Sequence, residues 1–404
     1  MQEFVDKHSL RKRRQMLSNS LFNRIPYAPP KWLSSAVSGS VIPSSRVELG
    51  RFPTPYHAWN LNDAFDNSQE LEFWIKRDDL SSFDMSGNKV RKLQFLLDDA
   101  MKQECDSVVT IGGTQSNHCR ATAVAARQLG MDPYLILRTR GQKIDPPEVL
   151  NDSLVGNLMF DRMVGATIKT VTSSVYAQCG ADNLVQQLTK QLKEQGKNPY
   201  AVPLGGSNAL GCFGYLDAIN EILDQGISFD HLVFSCGSGG TAAGLSLGAK
   251  LAGIPSVHAV GVCDSPGYFY AHIEETAREL GVDFAEHGKP EDWLTIHHGA
   301  GLGYSRSKQE ELEFIVAVAQ STGITLDPTY SGKGLYYFVH EVVKNHPDVF
   351  QKGQKVLYLH TGGALGLYDK HQELSELMKA TKNPSRPEEL GNVSPMVFQF
   401  PDKK

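Results

Sequence analysis

Short apolar segments alternate with amphipathic stretches along most of the chain, beginning near Val47. Apolar runs of strand length lie at 72–76, 107–111, 133–137, 231–235, 257–262 and 356–360. Stretches with apolar residues at helical spacing lie at 89–102, 116–129 and 241–251. Strands that alternate with helices of about 10–15 residues are typical of parallel sheets covered by helices on both faces. The pattern predicts an α/β protein with two open, mostly parallel sheets.

Residues 1–45 follow a different pattern. The run Arg11–Arg14 is strongly basic, and a Pro- and Ser-rich stretch follows at 26–45. This composition favours a solvated, partly disordered N-terminal extension. The concentrated arginines also fit a mitochondrial transit peptide, although Glu3 and Asp6 depart from the acid-poor composition of such peptides.

Composition and charge narrow the classes of protein. The 404 residues are 41% hydrophobic and 21% charged, which is typical of a globular protein. A net charge of −5 argues against a dedicated nucleic-acid binder. The longest apolar run, of about six residues, is too short to cross a bilayer. The six cysteines stand far apart with no C-x-x-C pair, so free thiols in a reducing compartment are expected. The sequence predicts a soluble intracellular enzyme.

Four glycine-bounded segments are candidates for chemistry, because ligands of open α/β sheets bind where strands end and helices begin. The first, Ser86–Lys92, places Lys89 at the start of a helix. The helix dipole disfavours a cation there, and partial burial would lower the pKa of its amine and make it a Schiff-base nucleophile. On this segment alone, the favoured alternative is a solvated lysine in a basic cluster with Arg91 and Lys92.

The second segment, Gly112–His118, combines a hydroxyl, two amides and an imidazole at the start of a helix. A helix N-terminus has free backbone N–H groups, which suit a carboxylate or a phenolate. Ser116 and Asn117 are explained equally well as residues that only cap the helix.

The third segment, Cys236–Thr241, joins a strand to a helix and carries three glycines. Glycines let the backbone wrap a phosphate, and the helix N-terminus favours its charge. The same stretch fits the looser dinucleotide pattern through Gly237, Gly239 and Ala242, and Asp264 follows the next strand where a ribose-binding acid belongs. Spacing leaves both cofactor classes open.

The fourth candidate is a late pair, Asp327–Gly334 and His360–Gly363. Each places a hydroxyl beside glycine at the end of a predicted strand, and each is explained equally well as a turn. His297 and His298, like the other histidines, lack the spacing of metal ligands, so no metal is expected.

Taken together and in this order, the segments resemble the fold-type II pyridoxal-phosphate enzymes, and among them the family of 1-aminocyclopropane-1-carboxylate (ACC) deaminases and D-cysteine desulfhydrases. The resemblance runs from Leu49 to Tyr368. The motifs that carry it are Phe52–Pro55, Ile75–Leu80, Ser86–Leu93, Gln115–His118, Gly205–Asn208, Gly237–Thr241, Leu326–Lys333 and His360–Gly363. It implies the tryptophan synthase β-like fold and pyridoxal 5′-phosphate as cofactor.

The resemblance also implies the cofactor ligands. Lys89 would hold pyridoxal phosphate as an internal aldimine, beside Asn88, and Asn117 would bond the 3′-oxygen of the pyridine. The phosphate would be bound by backbone amides and a hydroxyl of the glycine loop in the third segment. That loop consists of Gly237, Ser238, Gly239, Gly240 and Thr241.

Three further residues match active-site positions of the family. Ser116 would meet the substrate carboxylate or the bound amino acid. Tyr330 matches the tyrosine at the cofactor, and Tyr304 matches a second active-site tyrosine, although its flanking residues depart from the bacterial family pattern.

Two positions separate the subfamilies. Deaminases resembling this chain carry glutamate and leucine where it has Ser331 and Thr361, whereas desulfhydrases carry hydroxyl residues. A glutamate beside the pyridine nitrogen keeps it protonated and makes the ring a deep electron sink, which opening a cyclopropane requires. A neutral hydroxyl suffices when a good leaving group such as thiolate departs from the β carbon. The sequence leaves open which of the two hydroxyls contacts the nitrogen.

The resemblance therefore predicts β-elimination of D-cysteine to hydrogen sulfide, pyruvate and ammonia. ACC deamination, alone or together with that reaction, is the nearest alternative. A nicotinamide oxidoreductase that uses Gly237–Ala242 and Asp264 is a second alternative, and a catalytically silent binding protein is a third.

The resemblance implies a large cofactor-binding domain from residues 46–92 and 204–404, and a small domain from residues 93–203. The cofactor is expected in the cleft between them, where closure excludes water. A homodimer, an amino-acid substrate and a cytoplasmic location are expected, with the mitochondrion as the alternative location. Neither nucleic acid nor membrane is expected as a partner.

Overall fold

The computed structural model describes residues 22–139 and 154–380. Up to Asp369 the described chain forms one compact unit, and a second unit begins at Lys370. Among the described residues, the strands are β1 (Arg24–Pro26), β2 (Ser45–Val47), β3 (Tyr56–Ala58), β4 (Glu72–Arg77), β5 (Ser107–Gly113), β6 (Asp132–Arg138), β7 (Thr167–Val171), β8 (Pro199–Ala201), β9 (His231–Cys236), β10 (Val257–Gly261), β11 (Thr295–His298) and β12 (Lys355–His360).

The α-helices of the same residues range from short turns to sixteen-residue segments. They are α1 (Lys31–Ser34), α2 (Lys89–Lys102), α3 (Asn117–Gln128), α4 (Gly156–Met163), α5 (Ser173–Cys179), α6 (Ala181–Glu194), α7 (Ala209–Asp224), α8 (Gly240–Ala252), α9 (Pro266–Glu279), α10 (Phe284–His287), α11 (Gln309–Thr322), α12 (Ser331–Tyr337), α13 (Val343–Asn345) and α14 (His371–Ala380). Within the described ranges, no helix is both long and apolar enough to cross a membrane.

The larger sheet has six strands in the order β11-β10-β9-β12-β4-β3. Neighbouring strands are parallel except for β3, which runs antiparallel to β4 at the edge. Leu232 and Phe234 of β9 lie in one core with Phe213 of α7, Leu245 of α8 and Phe269 of α9. Alternate residues of a strand face opposite sides, so these two side chains fix the helix-covered face.

The smaller sheet has four parallel strands in the order β7-β6-β5-β8. Its central strand β5 shows the alternation directly. Val108 packs with Leu96 of α2, whereas the next residue, Val109, packs with Leu184 and Leu188 of α6 on the other face. The smaller sheet is thus parallel with helices on both faces, and the larger sheet is parallel except at β3, which confirms the predicted α/β class with two mostly parallel sheets. The predicted strands and helices are confirmed with bounds within two residues.

The extension predicted for residues 1–45 is folded over its described part, and residues 1–21 lie outside the described residues. Strand β1 pairs antiparallel with β2. Tyr27, Leu33 and Val37 are buried in the core of the larger sheet. The ring of Tyr27 meets that of Phe95 edge-on, with centroids 4.9 Å apart. Apolar side chains spaced among the prolines and serines anchor this segment.

Candidate active site

A cavity of about 210 Å³ lies where strands of both sheets end. Gly112 and Gly113 line it from the end of β5, Cys236 from the end of β9, and Thr361 from just after β12. The carboxyl ends of parallel strands are the usual ligand sites of open α/β sheets. Most of the candidate residues from the sequence meet here. They are Asn88, Lys89, Ser116, Asn117, Gly237, Ser238, Gly239, Thr241, Tyr304, Tyr330 and Thr361.

Lys89, the first residue of α2, directs its amine into this cavity. Its Nζ lies 3.5 Å from the carbonyl oxygen of Gly205. Burial lowers the pKa of Lys89 to about 8, and the thiols of Cys236 and Cys119 oppose that shift. The neutral amine is the nucleophile, and with a pKa near 8 about one-tenth of it is neutral at pH 7, far more than for an ordinary lysine. The sequence argument made a depressed pKa conditional on burial, and burial is the main cause of the shift; the solvated lysine that this segment alone favoured does not describe Lys89.

The turn before α3 combines a capped helix start with an unsatisfied amide. The Ser116 hydroxyl accepts a hydrogen bond from the backbone N–H of Cys119 at 3.1 Å, so it caps α3 while lining the cavity. The Oδ1 atom of Asn117 is buried and has no hydrogen-bond partner among the described residues. An orphaned polar atom on a cavity wall indicates a ligand that supplies the missing partner.

His118 lines the same cavity, with its Nε2 2.8 Å from the hydroxyl of Thr110. Burial and the nearby lysine charges hold the pKa of His118 well below its usual value. Gln115 points elsewhere: its amide donates to the carbonyl of Val155 and accepts from the backbone N–H of Asn157, both at 3.0 Å. Gln115 thus joins two segments of the smaller-sheet region rather than the main cavity.

The glycine loop after β9 forms a cradle at the N-terminus of the thirteen-residue helix α8. Gly239 has a φ of +89°, which a residue with a side chain rarely adopts. A Cβ on Gly237 would lie 2.5 Å from the Tyr330 ring. Thr241 accepts a hydrogen bond from the Asn88 amide at 3.1 Å, which leaves its own hydroxyl proton to donate. Backbone amides, a hydroxyl and the helix dipole together suit a phosphate.

Gly240 belongs to the same loop but does not line the cavity. Its backbone N–H donates to the Ser207 hydroxyl at 3.2 Å, and that hydroxyl lies 2.8 Å from the Ser238 hydroxyl. Gly240 therefore braces the cradle from behind.

Tyr304 and Tyr330 both line the cavity, and the Tyr330 hydroxyl donates to the Tyr304 hydroxyl at 3.4 Å. Their rings meet at 65° with centroids 6.1 Å apart. Burial raises the pKa of both phenols above the usual value of 10.0. Both hydroxyls are therefore protonated near neutral pH and can donate hydrogen bonds or protons to a ligand.

The two hydroxyls that the sequence could not rank lie in different environments. Thr361 lines the cavity, and its carbonyl accepts a hydrogen bond from the backbone N–H of Asn88 at 3.0 Å. Ser331 is fully buried behind the wall and does not line the cavity. Its hydroxyl donates to Asp327 Oδ1 at 2.7 Å and accepts from the backbone N–H of Asp327 at 3.0 Å. Both hydrogen bonds join Ser331 to Asp327, so its hydroxyl stabilises the turn at 327–331 and does not face the cavity.

The cavity residues that were not predicted include Arg138, Tyr176, Cys263 and Tyr268. Arg138 is the last residue of β6, in register with Gly113 of the neighbouring strand. A strand end beside a predicted site residue is a usable signal, but it requires the strand order. Asp264, the predicted ribose ligand of the dinucleotide alternative, also lines the cavity. In the part of the chain that the structure describes, no group of three or more His, Cys, Asp or Glu side chains is arranged to hold a metal.

Comparison with known proteins gives a consistent result. Residues 47–362 match the family described as "Pyridoxal-phosphate dependent enzyme". The bifunctional D-cysteine desulfhydrase/1-aminocyclopropane-1-carboxylate deaminase, mitochondrial, of Arabidopsis thaliana is 44% identical over 362 residues, which are 87% of this chain and 86% of that protein. The D-cysteine desulfhydrase of Serratia proteamaculans (strain 568) is 34% identical over 313 residues, 75% of this chain and 90% of that protein.

A solved structure agrees with these sequences. The crystal structure of an ACC deaminase homologue superposes with a TM-score of 0.68 at 32% identity. The superposition covers 82% of this chain and 96% of that one. The family match over residues 47–362 includes both sheets and the segments that line the cavity, from the Lys89 helix to the end of β12.

Proposed function

This chain belongs to the pyridoxal-phosphate-dependent enzymes, in the family of ACC deaminases and D-cysteine desulfhydrases, and from that premise we propose that it is a carbon–sulfur lyase acting on D-cysteine. The reaction converts D-cysteine and water to hydrogen sulfide, pyruvate and ammonia. The observation that carries the proposal is the Thr361 hydroxyl on the cavity wall, at the position where the resemblance places leucine in deaminases. The family membership also argues against the nicotinamide oxidoreductase, because the cofactor of this family is pyridoxal phosphate.

The residues of the cavity fit this cofactor. Lys89 supplies a buried amine, and the Gly237–Thr241 loop supplies a binding site for phosphate. The Oδ1 atom of Asn117 is buried without a hydrogen-bond partner, so a polar group of the ligand can bond to it. When bound, pyridoxal phosphate withdraws electrons from the α carbon of an amino acid, which makes its proton acidic. These three sites would hold the lysine-linked carbon, the phosphate and the 3′-oxygen of the cofactor.

The side chains around the substrate divide the proton transfers. The Lys89 amine, with a pKa of about 8, takes the α proton as general base. The phenols of Tyr304 and Tyr330, whose pKa values are raised by burial, remain protonated and donate to the departing sulfur. Ser116 and the free backbone N–H groups at the start of α3 bind the substrate carboxylate.

Of the two positions that separate the subfamilies, the difference in charge falls at Ser331, behind the cavity wall, where the resemblance places glutamate in deaminases. A hydroxyl has no charge with which to hold a proton on a ring nitrogen, whereas a carboxylate has. The neighbouring carboxylate of Asp327 is engaged by the backbone N–H groups of Thr329, Tyr330 and Ser331 at 2.6–3.0 Å. Elimination of thiolate needs less electron withdrawal than opening a cyclopropane, so this wall favours the desulfhydrase reaction.

The proposal is tested by incubating the purified protein, loaded with pyridoxal phosphate, separately with D-cysteine, L-cysteine and ACC. Sulfide, pyruvate and ammonia are assayed in each case. Sulfide from the D isomer alone is the expected result. Ammonia from ACC without sulfide from D-cysteine would overturn the assignment. Lys89→Ala is expected to lose both the visible absorbance of the lysine-bound cofactor and turnover, while the control Lys102→Ala at the end of the same helix keeps both.

ACC deamination in the same site is the second candidate, because the Arabidopsis relative is named for both activities. A double variant, Ser331→Glu with Thr361→Leu, is expected to shift turnover from D-cysteine towards ACC. An unchanged ratio of the two rates would refute the role given to these positions.

We propose the remaining family properties as well. They are a homodimer, a small domain of residues 93–203 that closes on a large domain of residues 46–92 and 204–404, and a cytoplasmic location. The mitochondrion is the alternative, supported by the name of the Arabidopsis relative. Sedimentation gives the oligomeric state, scattering with and without substrate gives the closure, and cell fractionation gives the compartment.

A further inference from the structure

A second cavity, of about 280 Å³, adjoins the active-site cavity. The two share Gly113, Arg138 and Tyr304 as a common wall. The remaining described lining residues of the second cavity include Arg306 and several hydroxyl and amide side chains, but no aspartate or glutamate. The second cavity therefore carries two guanidinium groups and no opposing carboxylate among its described lining residues.

Arg138 is held at the shared wall by aromatic rings. Its guanidinium carbon lies 4.9 Å from the ring centroid of Tyr176 and 5.5 Å from that of Tyr304. These cation–π contacts fix the side chain without neutralising its charge. Among the described residues, no ion pair or side-chain hydrogen bond involves its guanidinium, although the group is half-buried. A half-buried guanidinium with unsatisfied N–H groups is a strong site for a carboxylate, which it can bind with two parallel hydrogen bonds.

The position of Arg138 relates this charge to the substrate. Arg138 is in register with Gly113 on the adjacent strand, and Gly113 begins the turn that leads to Ser116. A Cβ on Gly113 would lie 3.2 Å from the Tyr304 ring, so Tyr304 is close both to Arg138 and to the start of that turn. The proposed function places the α-carboxylate of the substrate at Ser116. Cysteine has one carboxylate, and that group is already bound at Ser116. Cysteine therefore offers no second anionic group for Arg138 to bind.

We infer that the second cavity binds the distal anionic group of an amino acid, so that the enzyme accepts ligands whose side chain or β substituent ends in a carboxylate or sulfonate. This inference rests on the proposed function, because it needs an amino acid anchored at Lys89. Arg138 supplies the main contact, and the exposed Arg306 adds attraction at longer range.

The test compares charged and neutral isosteres on the holoenzyme. Glutamate and glutamine, each in the D and L form, are titrated while the absorbance of the bound cofactor and the thermal unfolding midpoint are followed. Glutamate is expected to bind at least about tenfold more tightly than glutamine of the same configuration, which corresponds to one hydrogen-bonded charge pair. Equal affinity for glutamate and glutamine in both configurations would overturn the inference.

Variants assign the effect to the residue. Arg138→Met is expected to remove the preference for glutamate, and Arg138→Lys, which keeps the charge, is expected to retain part of it. Arg278→Met, which removes one exposed arginine of α9 away from both cavities, serves as the matched charge control. A preference for glutamate that survives in Arg138→Met would also overturn the inference.

D-cysteine turnover is measured on the same preparations, which separates the two proposals. A preference for glutamate without sulfide release from D-cysteine would refute the proposed function and leave the anion site standing. Sulfide release without that preference would do the reverse.

Discussion

Lys89 and Lys92 lie almost one turn apart on α2, and both direct their amines at the carbonyl oxygen of Gly205, at 3.5 and 3.2 Å. Burial and the neighbouring Lys89 charge hold the pKa of Lys92 well below its usual value. One carbonyl thus holds two buried amines, and burial raises the neutral fraction of the reactive Lys89 by lowering its pKa.

The depressed pKa of Lys89 predicts how cofactor-free enzyme takes up pyridoxal phosphate. Only the neutral amine reacts, so the rate of covalent attachment should rise with pH and level off above about 8, the pKa of Lys89. Stopped-flow absorbance from pH 6 to 10 measures this, expressed relative to a free lysine derivative as control. A rate that still climbs between pH 9 and 10, as that of an exposed lysine does, would contradict the burial argument.

Because Thr361 lines the cavity and Ser331 does not, removing each hydroxyl should affect a different property of the enzyme. Ser331→Ala should lower the free energy of unfolding by about 1–3 kcal/mol, because the buried carboxylate of Asp327 loses the hydrogen bond that the Ser331 hydroxyl donates to it. Thr361→Val should change turnover with little effect on stability. Denaturant unfolding and kcat, measured on both variants, check the pair. Equal effects on stability would show that the two hydroxyls share one role.

The buried amine of Lys333, on α12, anchors the loop that carries the active-site residue Tyr304. Its Nζ donates to the carbonyls of Ala300, Gly303 and Arg306, at 3.3, 3.0 and 2.6 Å, and these three flank Tyr304. The Nζ also lies 3.9 Å from a carboxylate oxygen of the buried Glu311.

Lys333→Met should therefore destabilise the fold by about 3–5 kcal/mol, as expected for one partner lost from a buried ion pair. It should also lower kcat, because the loop that carries Tyr304 loses its anchor. The double variant Lys333→Met/Glu311→Gln should recover part of the stability. Unfolding by denaturant measures both variants, and a stability change below about 1 kcal/mol in Lys333→Met would refute the anchoring role.

A row of histidines across β9, β10 and β11 predicts sensitivity to acid. Burial, together with the neighbouring histidines, lowers the pKa of His258 to about 3, and burial likewise lowers that of His297 to about 4. His258 Nδ1 lies 3.0 Å from His297 Nε2. In the unfolded chain both titrate near 6.5. Below pH 6.5 the unfolded state therefore binds more protons, so stability present above that pH is lost as the pH falls towards 4.

Each such histidine adds about 1.4 kcal/mol per pH unit to the slope of unfolding free energy against pH in this window. His258→Gln should flatten the slope, whereas His57→Gln, at an exposed position, should leave it unchanged. Chemical denaturation between pH 4 and 8 measures it. A stability that is flat from pH 6.5 to 4 would rule out a buried, neutral pair.

The sequence was most informative where local pattern decides structure. Helix α2 begins at Lys89 and ends at Lys102 as its periodicity predicts, and the glycine loop after β9 has the predicted place at a helix start. Among the strands that were missed, β7 lies at a sheet edge and has no buried side chain, and β8 has only three residues. Neither carries a buried run that periodicity can detect.

The rest of the site depends on relationships that a single sequence does not contain. Arg138 ends an apolar strand, and its chemistry emerges only when strand order places it beside Gly113 and packing brings in Tyr176. The choice between Thr361 and Ser331 depends on the turn at Asp327, which draws one hydroxyl inward. Local composition also hid the packing of residues 22–45, because a few apolar anchors outweigh many prolines and serines.

The pairing of β1 with β2 sets a limit on how far proteases can trim the amino terminus. The carbonyl of Asn23 accepts a hydrogen bond from the backbone N–H of Glu48, and Phe22 packs on the core beneath α2. A peptidase that removes a leader ahead of Phe22 leaves these contacts whole. A cut between β1 and β2 would detach β1 and Tyr27 from the chain that they help to bury. Any mature form that keeps the enzyme intact therefore starts at or before Phe22.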